Sequence, residues 1–285
     1  MKRQQGRAVV RGKATVPARM ARMARMARSG VSRVAEPAGG VGPEADAMAA
    51  APEADVRLVG LLQRNVAERQ RVTVLRVLND RGATLPAVLQ AAGDAQQSAD
   101  LAVEIMTPAT PAACRAGCHW CCHVSVSLTV PEALSVASYL REMRSAEELA
   151  EVMRRVAELD DTTRGLTSGE RAAAKLWCAL LGEDGRCTVY SARPLMCRGW
   201  LSAFEESCQQ AWETSFDEST IYAHTGTKLA VSAVERGLME GLRDGGLEGT
   251  QVELTAALRI ALEVPDAAER WLGGEPLFEA ARFAG

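Results

Sequence analysis

Val56-Arg57-Leu58-Val59-Gly60-Leu61-Leu62-Gln63-Arg64-Asn65-Val66 sets Val56, Val59, Leu62 and Val66 three or four residues apart, and Val72, Leu75 and Leu78 extend the spacing until Asn79-Asp80 and Gly82. Such spacing lines one face of a helix with apolar side chains. Outward from it, helices are predicted near 95–106, 131–144, 146–159, 168–181, 227–243 and 250–263. Pro131-Glu132 suits a helix start, because proline there gives up only an N–H without an intrahelical partner and the acid faces the positive end of the dipole. Val124-Ser125-Val126-Ser127-Leu128 alternates as a short strand does. The pattern predicts a mainly α fold with at most a short strand or hairpin.

The chain of 285 residues is 47% hydrophobic but only 4% aromatic, which favours one alanine- and leucine-rich helical domain with a tail. Its net charge of −3 conceals an asymmetry. Residues 1–34 hold ten of the 33 Lys/Arg and none of the 36 Asp/Glu, which leaves the remainder at −13. An acidic body argues against general nucleic-acid binding, so only the basic arm could touch RNA or another anionic surface. Residues 1–54, with the repeat Ala18-Arg19-Met20-Ala21-Arg22-Met23-Ala24-Arg25-Met26, carry no sustained apolar stripe. They are read as a disordered, low-complexity extension preceding a single domain over 55–285. No run of 18 apolar residues occurs, and no apolar core follows the basic start, so the expectation is a soluble, cytoplasmic protein without a membrane partner.

Eight cysteines in a reducing compartment point to metal or redox chemistry rather than to disulfides. The first group is Cys114-Arg-Ala-Gly-Cys118-His-Trp-Cys121-Cys122. On a helix its four thiols would share an arc of about 100°; a loop around Gly117 could gather them as well. Two adjacent cysteines reach one tetrahedral ion with difficulty, so Cys121-Cys122 suggests two metal centres or a cluster with several metal atoms. The second group, Cys178, Cys187, Cys197 and Cys208, suits delivery from separate loops and helix ends, with a turn at Gly182-Glu183-Asp184-Gly185. Eight thiols could serve two closed four-ligand sites or one mixed centre, with zinc or an iron–sulfur cluster as the cofactor. The expected architecture is therefore an irregular helical domain with cysteine-rich loops around a metal centre at about 110–210.

Other residues flank the thiols. His119 and His123 could be ligands, although second-shell or surface roles weigh more heavily if the cysteines suffice. Trp120, Trp177 and Trp200 each lie within three residues of a cysteine, where indoles could shield a cluster or simply pack. Arg193 and Arg198 are the candidate cofactor-binding residues: guanidinium groups beside thiolates offset charge, or hold an anionic substrate in bidentate fashion. Tyr190 lies three residues before Arg193 and belongs to the same turn, either hydrogen-bonding into the site or packing.

The spacing Cys114-x3-Cys118-x2-Cys121-Cys122, then Pro131-Glu132, Cys178 with Leu180-Leu181, and Gly185-Arg186-Cys187-Thr188-Val189-Tyr190-x2-Arg193-Pro194-x2-Cys197-Arg198-Gly199-Trp200, resembles the YkgJ-type cysteine-cluster family, the zinc- or iron-chelating CxxCxxCC domain. The first cysteine gap is three residues where the family name implies two, and Ala179 stands where a proline often follows the cysteine. Neither departure removes a thiol. The resemblance implies metal chelation, and its relatives that look like flagellin lysine N-methylases imply methyl transfer or redox chemistry as an alternative. A structural zinc module presenting helices to a protein partner is a third reading. No Gly-rich loop follows a strand, so the usual methyl-donor site is not visible in the sequence.

Overall fold

The computed structural model describes residues 53–106, 111–214 and 218–283. Residues 1–52, which hold nearly all of the expected disordered arm, lie outside the described residues. The first helix, α1, spans Glu53–Arg81, followed by α2 at Leu85–Met106 and α8 at Thr225–Asp244; these three pack against one another as a layer. Their closeness is written on α8 and its C-cap, where Gly237, Gly241 and Gly245 recur every fourth residue and form one seam. A Cβ at these positions would meet the Ala67 carbonyl oxygen at 2.1 Å, Val74 Cβ at 2.6 Å and Leu78 Cδ1 at 2.4 Å, so α1 rests directly on the α8 backbone.

Helices α3 (Val130–Met143) and α4 (Ala146–Thr163) follow each other directly and are covered by α9 (Leu254–Glu263). Ser145 starts α4 through a reciprocal capping box: it accepts from the Glu148 N–H, while the Glu148 carboxylate accepts from the Ser145 N–H. Two three-residue strands, β1 (Ser127–Thr129) and β2 (Gln251–Glu253), pair antiparallel with Leu128 opposite Val252. Both side chains are fully buried, so this small sheet joins the core that contains Val74, Leu140, Leu238, Leu258 and Phe278. Burying a side chain of this kind contributes roughly 1.5–3 kcal/mol.

The fold is mainly helical, as the periodicity implied, with corrections at element ends. Helix α2 begins ten residues before the expected 95. The segment predicted as a helix from 250 opens with β2 instead, because Val252 extends to pair with Leu128. The helix predicted over 168–181 ends early, as α5 (Ser168–Ala173). Lys175 adopts φ 52°, which no helix continues through, and Cys178 then extends to hydrogen-bond with the first cysteine loop. Three short helices carry no periodic signal: α6 (Leu195–Gly199), α7 (Glu205–Glu213) and α10 (Ala267–Leu272).

Candidate metal centre

Cys114 to Cys122 form a loop of successive turns, so the single-face helical arrangement is not adopted. Cys118 N donates to Arg115 O at 3.0 Å and Cys122 N to His119 O at 2.8 Å, while Gly117 takes φ 93° between them. The second group meets this loop through the backbone. Cys178 N donates to Cys122 O at 2.6 Å, and an isolated bridge joins Leu181 to Cys187 across the Gly182–Gly185 turn. Ala113 N donates to Ser202 O, and Ser202 N returns a hydrogen bond to Cys114 Sγ at 3.4 Å. Cys208, on α7, is buried beside the Ser202 and Ser207 hydroxyls.

Two anchors hold the segment that carries Cys197. Glu132, fully buried near the start of α3, accepts from Thr129 N and Thr129 Oγ1 with one oxygen and from Leu195 N with the other, each at 2.8 Å. It thereby ties β1 to the first residue of α6. Arg198 is 5% exposed and commits its guanidinium away from the thiols. Its Nε donates to Arg193 O at 2.9 Å, one terminal nitrogen donates to Ser191 O, and the other reaches both carboxylate oxygens of Asp100 on α2 at 2.6 and 2.7 Å. Gly199 lets α6 lie against α8, since a Cβ there would meet Val231 Cβ at 2.8 Å.

No cysteine is in a disulfide. Burial raises the pKa of the Cys197 thiol well above its usual value, and pushes the Cys118 and Cys178 thiols up to about 11 each. The Cys121–Cys122 pair is different: a hydrogen bond from Cys122 lowers Cys121, and the same bond together with burial raises Cys122. Two cations act on the thiols: Arg193, 4.3 Å above the Tyr190 ring, favours the thiolate forms of Cys114, Cys121, Cys187 and Cys197, and Arg171 that of Cys178. The two predicted arginines thus stand differently: Arg193 faces the cysteines, and Arg198 braces the turn.

Aromatic rings wall one side. His119 meets Trp177 edge-on at 5.0 Å, Trp177 stacks on Trp212 at 5.7 Å with planes 6° apart, and Trp212 meets Trp120 at 5.8 Å. His123 is fully buried, 5.9 Å from the Trp177 ring, and burial pushes it down to about 4, which keeps the imidazole neutral. Trp200, like Trp120, packs against the cluster of Cys208, Ala211 and Ile221. The sequence reading missed Trp212, although it sits one helical turn after Cys208. It also missed Ser202 and Glu205. The Glu205 carboxylate accepts from Trp120 Nε1 at 3.1 Å and pairs with Arg115, holding the first loop on α7.

Residues 113–216 match the family model described as CxxCxxCC, a putative zinc- or iron-chelating domain. The matched stretch contains all eight cysteines. No curated protein and no solved structure is matched by the chain. Among the described residues, no helix is long and apolar enough to cross a membrane. Nor do any three His, Cys, Asp or Glu side chains among them stand preassembled as a ligand set. Within the matched stretch, Cys121 contributes to raising both the Cys197 and the Cys208 thiols. The donor chemistry, eight thiols with guanidinium groups of Arg193 and Arg171 acting on them, fits a soft or borderline metal.

Proposed function

We propose that the chain is a YkgJ-type metal-binding protein of a reducing, cytoplasmic compartment, and that Cys114, Cys118, Cys121, Cys122, Cys178, Cys187, Cys197 and Cys208 chelate zinc or an iron–sulfur cluster. The observation that carries this reading is that the stretches around Cys178 and Ser202 hydrogen-bond onto the first cysteine loop, through Cys178 N–H on Cys122 O and Ser202 N–H on Cys114 Sγ, within the segment matched by the zinc- or iron-chelating family model. Every one of these thiols except Cys121 is raised, by burial or, at Cys122, by its hydrogen bond to Cys121 together with burial, so metal uptake displaces protons and weakens as pH falls. The domain's own residues have definite tasks. Arg193 offsets thiolate charge, the Trp120, Trp177 and Trp212 rings exclude water, and Glu132 with Arg198 fixes the turn that presents Cys197. Bound zinc would supply rigidity; an iron–sulfur cluster would supply an electron.

Anaerobic purification with elemental analysis and an absorption spectrum tests the reading. The expected result is stoichiometric metal, either colourless with zinc or brown with absorption near roughly 400 nm for iron–sulfur. A metal-free protein that takes up neither metal and melts at the same temperature with or without zinc would overturn it.

A further inference from the structure

We infer that one end of the α1–α2–α8 layer is a docking surface for an anionic lipid bilayer, which exposed aliphatic side chains enter and arginines attract. This surface is separate from the chelation reading, since it contains no cysteine.

The three helices bring apolar ends together. Helix α8 runs the same way as α1, because Gly237, Gly241 and Gly245 meet Ala67, Val74 and Leu78 in the same order along the seam. Helix α2 turns back along α1, with Ser98 Oγ donating to Gln70 Oε1 at 3.0 Å. The start of α1, the end of α2 and the start of α8 therefore share one end of the layer. There Gln63 Nε2 donates to Leu229 O at 3.3 Å, and a Cβ on Gly226 would meet Met106 Cε at 3.1 Å. Leu58, Leu61 and Leu62 of α1 and Leu101 and Ile105 of α2 are 48–70% exposed at this end. A single exposed leucine is ordinary; a group of large aliphatic side chains on adjoining helix ends marks an interaction surface.

Charge selects what covers it. Arg57 and Arg64 are exposed on the same turns of α1, while on α2 Asp100 is taken up by Arg198, which leaves Glu104 as the other exposed acid there. The chain also enters α1 at this end, and its residues 1–34 carry ten Lys/Arg and no Asp/Glu. A second copy seated on the same end would bring two such basic segments together, which their repulsion opposes. A nucleic acid would pair with the arginines but leave the leucines in water, and the exposed apolar side chains of α1 and α2 here offer no aromatic ring for a base to stack on. An anionic bilayer meets both needs, with arginines at the level of the phosphates and aliphatic side chains just below. No helix among the described residues is long and apolar enough to cross a membrane, and none is needed for a surface that lies on a bilayer rather than across it. The sequence-based expectation of no membrane partner rested on that missing span alone.

The test sediments full-length protein with vesicles of phosphatidylcholine alone and of equimolar phosphatidylcholine and phosphatidylserine. The protein should bind the anionic vesicles, bind the neutral ones far more weakly, and be released as salt screens the arginines. Leu58→Ser and Leu61→Ser, both at exposed positions, should leave the melting temperature unchanged and each weaken binding about tenfold. Arg19→Gln, Arg22→Gln and Arg25→Gln together should weaken it by roughly fivefold per charge. Folded wild-type protein that stays in the supernatant with anionic vesicles would overturn the inference. So would binding undiminished in Leu58→Ser/Leu61→Ser, since attraction would then be a matter of charge alone. A wild-type dimer that the same leucine variants dissociate, or RNA binding that they abolish, would give the surface to a second copy or to a nucleic acid and overturn it equally.

Discussion

The α1–α2–α8 layer and the cysteine-bearing stretches 111–126 and 168–214 are held together by different means. In the layer, long helices touch along a seam so tight that no side chain fits at Gly237, and the contacts are many, apolar and short-range in kind. In the cysteine segment the helices α5, α6 and α7 are six, five and nine residues long, too short to persist alone. Their positions depend on a few long-range bonds: Glu132 on Leu195, Arg198 on Asp100 and Glu205 on Trp120. One region folds by packing; the other needs specific polar partners and, on the reading above, a metal. Stability is therefore distributed unequally between them.

Removing metal should separate the two regions most sharply. Thiolate binding of zinc supplies on the order of 10 kcal/mol in small sites, and that energy becomes folding energy. Hydrogen exchange after chelation should lose protection across 111–126 and 168–214 while the facing amides of α1 and α8 stay protected. Equal loss in both regions would show that they are one cooperative unit. The reverse experiment is Gly237→Ala. Its methyl group would press on the Ala67 carbonyl at 2.1 Å, and forcing α1 off α8 should cost about 3 kcal/mol, read by chemical denaturation. A neutral effect would mean that the seam is not what fixes the layer.

A smaller effect probes the border between the regions. Glu235 on α8 is buried, hydrogen-bonded by Gln251 Nε2, and pushed up to about 7 by burial first and by Glu132 second. A raised carboxyl binds its proton more tightly in the folded state. Its contribution is full below the unfolded value near 4.5 and is lost as pH rises through about 7. Glu235→Gln, which keeps an acceptor for Gln251, should therefore stabilise the protein by roughly 1–3 kcal/mol at pH 8 and by almost nothing near pH 5. A difference from wild type that does not vary with pH would exclude this titration.

The helices of the layer were legible because their information is periodic and local, with the expected helix at 227–243 lying within α8 and the Val56–Leu78 spacing on α1; the face was not, since Val59, Leu62 and Val72 are exposed and α1 meets α8 through Ala67, Val74 and Leu78. The cysteine segment was legible as chemistry but not as conformation. Nothing local in 168–181 announces that the chain leaves the helix at Lys175 so that Cys178 can reach Cys122 O, 56 residues back in sequence. Glu132 was readable as a helix-start acid, yet its second task, on Leu195 N, is visible only when the two segments meet. Arg198 was readable as a charged neighbour of Cys197. Its actual partners, Asp100 and two carbonyls, lie outside any motif. The strand Gln251–Glu253 is too short for alternation to register.

The distance along the chain between the first cysteine loop and Cys208 has a temporal side. Ribosomes add about 5–20 residues per second, so once Cys122 has been made, roughly 4–17 s pass before the 86 residues to Cys208 follow. For that interval the first four thiols of each nascent chain exist without their most distant companion. They can be oxidised, or can capture an ion that they must later share or surrender. The order of synthesis thus makes the surrounding redox buffer, and whatever supplies the metal, participants in building the site.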